Sequence, residues 1–130
     1  QGAGNSGESD RGASERRFMK WYPDLYFGKQ AEKKKDVILR RLRWNIGQLD
    51  VYLITEASNG KDLFDIVFAG ELKQKAVRRN LPRIIGIAKG YGEALELVEQ
   101  IVMESIDSLG TPDVKRYLRE KSKQKDFDGC

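Results

Sequence analysis

The chain has 130 residues, 39% hydrophobic and 34% charged, with 24 Lys and Arg against 20 Asp and Glu for a net charge of +4. That length fits one domain with a modest core, and no apolar run approaches the roughly 18–20 residues needed to span a bilayer. With no histidine and a single cysteine, Cys130, imidazole bases, Ser-His and Cys-His pairs, histidine-containing zinc sites, thiolate clusters and an intramolecular disulfide are all excluded.

Residues 1–18 are small, polar and mixed in charge, and they lack the apolar core of a secretory signal. They read as a disordered tail or a non-native remnant ahead of one α/β domain over 19–120, with 121–130 as a polar C-terminal tail. A reduced, cytoplasmic setting is the default for such a composition, with no membrane contact and no cofactor expected.

WYPDLYFGKQ (21–30) is rich in aromatics and broken by Pro23 and Gly28, so it reads as a packed lead-in or short edge strand. Its cluster Trp21, Tyr22, Tyr26 and Phe27 suits a staple across the core better than a ligand groove. A helix follows over 31–47, with Ala31, Ile38, Leu42 and Ile46 on one face and Gly47 as the stop. LDVYLITEA (49–57) is β-branched and aromatic, the pattern of a central strand. Asn59-Gly60 is hairpin chemistry, and Phe64, Ile66 and Phe68 then alternate as a strand does. Gly70 marks a break, after which LKQKAVRRN can turn helical.

RIIGIA (83–88) is a short buried strand. It ends in Gly90-Tyr91-Gly92 and runs into a second clear helix over 91–109, with Ala94, Leu95, Val98, Ile101, Val102 and Leu109 on one face. One further short helical piece precedes the tail. The order helix-strand-strand-strand-helix predicts an α/β or α+β fold. It takes the form of a small, mainly three-stranded sheet with two main helices packed on one face. VYLITEASNGKDLFDI, ELKQK and IIGIAKGYGEALELVEQIV together resemble an uncharacterised family of small bacterial proteins of clostridial type, over about residues 49–118. The resemblance implies a compact bacterial domain; no activity or site residue comes with it.

The glycine-rich turn after Ala88 has the order of parts of a phosphate cradle. Gly86, Gly90 and Gly92 do not match G-x-G-x-x-G, however, and no G-x-x-x-x-G-K-[ST] is present. Glu93 and Glu96 already supply negative charge to the first helical turn. The turn therefore reads as a tight strand-to-helix connection.

The first helix carries a stronger signal. Seven basic residues against Glu32 and Asp36 give 29–43 a net charge of +5, and Lys33, Lys34, Val37, Arg40, Arg41 and Trp44 lie off its apolar face. Cations pair with phosphates and an aromatic among them stacks on a base. The same Trp and Arg also suit a subunit contact. Residues 91–109 hold five acids and no Lys or Arg, so two oppositely charged helices on one sheet face would attract along their rim. The third pattern is Asp65 followed by Glu71-Leu72-Lys73, which resembles the metal-binding core of PD-(D/E)xK nucleases. There two carboxylates hold Mg²⁺ and the lysine stabilises charge. No Pro precedes the Asp and the gap is short for that family. The expected function is a non-enzymatic module that self-associates as a homo-oligomer or binds a protein. Nucleic-acid binding through the basic face is the first alternative, and a Mg²⁺-dependent nuclease site the second.

Overall fold

A computed structural model describes residues 19–57 and 63–128. The chain opens with strand β1 (Trp21–Phe27), two short helices α1 (Lys29–Lys33) and α2 (Lys35–Arg43), and strands β2 (Val51–Glu56) and β3 (Phe64–Phe68). A 3-10 turn (Ala69–Lys73), helix α3 (Lys75–Arg79), strand β4 (Ile84–Lys89) and helices α4 (Tyr91–Leu109) and α5 (Val114–Asp128) follow. The sheet is mixed and four-stranded, in the order β1-β4-β2-β3. β2 pairs antiparallel with both β3 and β4, and β1 lies parallel to β4. The expected three strands become four because the aromatic lead-in is an edge strand. Pro23, which has no N–H to donate, sits in an irregular stretch where β1 spends Trp21 to Tyr26 against only Ile84 to Gly86 of β4.

The helices do not share one face. Alternation sends Val51 and Leu53 of β2 to one side, where Ala31, Ile38, Leu42, Ala69 and Leu72 complete a cluster. Ile54 goes to the other side with Tyr22, Tyr26, Ala94, Leu97, Ile101, Val114 and Leu118. β4 feeds both clusters. Its register against β2 shifts between Ile54 and Thr55, so Ile84 and Ile87 join the first cluster and Ile85 and Ala88 the second. A strand covered on both faces needs a continuous apolar run, which is what 84–88 supplies. Leu53, Ile54, Ile84, Ile85, Ile87 and Ile101 are fully buried, each contributing about 1.5–3 kcal/mol of hydrophobic stabilisation.

Three further differences bear on function. The helix expected over 31–47 breaks at Lys34 (φ −124°, ψ 25°) and ends at Arg43. Ile46 therefore falls outside it and is 52% exposed instead of packed. On α4 the buried line is Ala94, Leu97, Ile101 and Ser105, rotated from the expected face so that Leu95 is half exposed. α5 continues through Asp128, so the expected short helical piece runs on into residues 121–128. The Asn59-Gly60 turn lies outside the described residues, but the antiparallel register from Tyr52↔Phe68 to Glu56↔Phe64 is that of a hairpin.

Candidate functional site

The break at Lys34 shapes the site. Two short helices meeting there, instead of one long one, direct Lys33, Lys34, Val37 and Arg41 towards the end of the sheet. They line a groove of about 330 Å³ with Ile38, Gln48, Leu49, Val51 and Lys89. Four cations, from α1, the break, α2 and the last residue of β4, converge there, and no carboxylate lines the groove. Gln48 is buried and donates from Nε2 to the Ile38 carbonyl at 3.3 Å, which ties the groove wall to α2.

The segment after α2 forms the groove's outer edge. Trp44 caps α2, its N–H donating to the Arg40 carbonyl at 3.0 Å. Asn45 (φ 56°) and Asp50 (φ 67°) both hold left-handed backbone, unusual for residues with a side chain. Just before the first bend the chain presents Trp44 at 61% exposure, and between the two it presents Ile46 and Leu49 at 52 and 83%. The structure thus brings Lys33, Lys34, Val37 and Arg41 into one groove; Arg40 and Trp44 are exposed on α2 and at its end and do not line it.

Asp65, Glu71 and Lys73 do not share a strand. The alternation that would place them on one face stops at Phe68, and Glu71 and Lys73 sit in the 3-10 turn. Lys73 turns back to donate from Nζ to the Asn45 carbonyl at 2.9 Å, bracing the 44–50 segment. Among the described residues, no group of three His, Cys, Asp or Glu side chains is placed to hold a metal ion.

The glycine-rich turn is occupied from within. Gly90 takes φ 91°, which glycine adopts without penalty, and α4 begins immediately after it. The Glu93 carboxylate then accepts three backbone N–H bonds, from Lys89 (2.7 Å), Gln30 (2.9 Å) and Ala31 (3.2 Å). Burial raises this carboxyl's pKa. The three donors and nearby Lys33 outweigh that and hold it below its ordinary value. The carboxylate thus takes the amide just before the turn and ties the start of α4 to the start of α1.

A second polar cluster joins β1, α4 and α5. Glu104 accepts from the Tyr26 hydroxyl at 2.6 Å, the Tyr117 hydroxyl at 3.0 Å and Gln100 Nε2 at 3.3 Å. Lys121 Nζ donates to the Tyr26 hydroxyl at 2.8 Å and lies 3.6 Å from Asp24 and 3.7 Å from Glu104. Burial, then bonding to Glu104, pushes the Tyr26 phenol far above its usual range. Burial, then the Asp24 charge, carries Tyr22 up to about 12. These phenols are held as donors, and the cluster is a clamp for α5 rather than an acid–base pair. The Tyr22 hydroxyl completes it with a 2.9 Å bond to the Leu118 carbonyl.

That clamp orients another basic surface, one the sequence reading does not anticipate. Lys115, Arg119 and Lys123 recur every fourth residue along α5 and face Arg83 and Glu56 across a groove of about 420 Å³. The i, i+4, i+8 spacing was the available signal, but it carries meaning only if the segment is helical, and Arg83 joins it only through the fold. No helix of the described chain is long and apolar enough to cross a membrane. No protein-family model, curated protein or solved structure matches the chain.

Proposed function

We propose that the chain is a binding module that holds single-stranded nucleic acid along the α1–α2 groove. The observation that carries this reading is the convergence of Lys33, Lys34, Arg41 and Lys89 on one concave surface whose lining holds no carboxylate. Phosphates supply the matching charge. Leu49 in the lining and Trp44, exposed at the end of the helix that carries Arg41, offer apolar surface to unstacked bases, the indole ring by stacking. The acidic helix α4, packed on the opposite face of the sheet, does not run along the groove as a shared rim would require.

Fluorescence anisotropy with a labelled oligothymidylate tests it. Four phosphate contacts give a slope of log K against log salt of about −3, at roughly 0.7 per contact on a single strand. Replacing Lys33 and Arg41 together by Gln shortens that slope by about 1–1.5, and Trp44→Ala weakens binding by about 1–3 kcal/mol at every salt concentration. Absence of binding at low salt, or an unchanged slope in the double variant, rejects the reading.

A second reading, self-association, is favoured by a different surface. β3 is an edge strand with all five residues only half buried. Beside it, Tyr52, Phe64 and Ile66 face the flank of α4 that carries Val98 and Val102, with Leu95 and Ile106 exposed on the same stripe. A half-covered apolar trough of this kind suits a second copy of the chain.

A further inference from the structure

We infer that the α5 groove is a separate site for a phosphorylated nucleoside. Its walls and floor differ in chemistry. Lys115, Arg119 and Lys123 form one wall and Arg83 stands on the other, so four cations surround a cavity whose lining holds one acid, Glu56. Ile85 and Leu118, both in the core, underlie it with the Tyr22 ring. A cavity of about 420 Å³ falls in the range of small-molecule sites, roughly 300–1,000 Å³. The accessible apolar surface of the groove is that of the Lys115, Arg119 and Lys123 stems above these buried residues.

The arrangement is held rather than incidental. Arg83 is fixed through its carbonyl, which accepts the Glu56 N–H at 3.0 Å. The α5 wall is oriented by the Tyr22–Leu118 bond and by Lys121 docking on Tyr26. On the solvent side of the same helix, next to this stripe, Arg116 spends its charge on Glu120 at 3.1 Å. A ligand with a flat apolar body, a phosphate and a hydroxyl or amine donor would use every part of the groove. The base lies against the aliphatic stems of Lys115 and Arg119, the phosphate meets Arg83 and the Arg119 guanidinium, and Glu56 accepts from the sugar hydroxyls or an exocyclic amine. A free mononucleotide and the 5′-phosphorylated end of an oligonucleotide both offer this chemistry. The site stands independently of the α1–α2 groove, since Arg83 precedes β4 and Lys89 ends it.

The test is a ¹⁵N–¹H NMR titration of the full chain with the four common ribonucleoside 5′-monophosphates, inorganic phosphate and the parent nucleosides. At least one nucleotide is expected to move the Tyr22, Ile85, Leu118 and Ser122 amides in a saturable way. Arg83→Gln and Arg119→Gln should each weaken it at least tenfold, and Arg116→Gln, on the outer flank, less than twofold. The spectrum of each variant reports its folding. Displacement by a 5′-phosphorylated oligonucleotide but not by its unphosphorylated twin assigns the site to a strand end; displacement by neither assigns it to the free nucleotide. The inference is overturned if no nucleotide moves these amides at millimolar concentration. It is equally overturned if inorganic phosphate binds as tightly as the nucleotides, or if Arg116→Gln weakens binding as much as Arg119→Gln.

Discussion

A single carboxylate shows how closely side-chain identity is fixed at the turn between β4 and α4. Glu93 holds three backbone donors from two segments, and a Cβ on Gly28 would fall within its carboxylate group. Glu93→Gln exchanges one accepting oxygen for a donor and is expected to cost about 1–3 kcal/mol at pH 7. Its folded-state pKa lies below the ordinary value of 4.5, so the ionised carboxylate stabilises the fold fully above that value. The contribution is lost as pH falls through the lower folded-state pKa. Urea denaturation of both proteins should therefore show a gap in stability that is constant from pH 7 to 5 and narrows below 4. A gap that persists unchanged to pH 3 would mean the charge is not what the amides hold. Gly28→Ala displaces the same group, so combining the two substitutions should cost less than the sum of the singles.

At the scale of elements, α5 is the piece whose placement depends on polar bonds. Val114 and Leu118 are its buried apolar contacts with the core, and Tyr26, Glu104, Tyr117 and Lys121 hold its flank. Tyr26→Phe keeps the ring but removes the donor to Glu104 and the acceptor for Lys121. The expected loss is about 1–2 kcal/mol. Hydrogen exchange should quicken first in α5, while β2 and β4 keep their protection. Uniform acceleration across the chain would show that α5 does not open by itself. The same helix marks the limit of what sequence patterning discloses. α4 is legible because nineteen residues keep one apolar line up to Gly110, which takes φ 73° as its stop. β2 and β3 are legible from alternation and turn chemistry. α5 is legible only as a short helical piece, its length and docking hidden because its mean character is strongly polar and its bonds run to residues far away in sequence. The placement of helices on both faces was written in the unbroken run Ile84–Ala88, yet such a run also fits a strand covered on one face only at its ends. The basic groove was half legible. Lys33, Lys34, Val37 and Arg41 share a helical pattern, whereas Lys89 reaches them only through the strand order.

For the whole molecule, the two basic grooves sit at opposite ends of β4 and the apolar trough between β3 and α4 lies apart from both. If a second copy covers that trough, sedimentation velocity should show a mass that rises with concentration, and Leu95→Glu with Ile106→Glu should return it to the monomer. Monomeric behaviour of the parent chain at several hundred micromolar would discard self-association through this surface. The position of β1 has a different kind of consequence. This strand comes first among the described elements, yet among the described strands it pairs with β4 alone, and its Tyr22 and Tyr26 hydroxyls bond to groups 96 and 78 residues further along. Closing such distant pairings makes folding slow for the chain's size. On a ribosome, β1 emerges long before anything it can pair with. Until β4 and α4 have left the exit tunnel, Trp21, Tyr22, Tyr26 and Phe27 are an exposed aromatic segment, the natural one for a chaperone to hold.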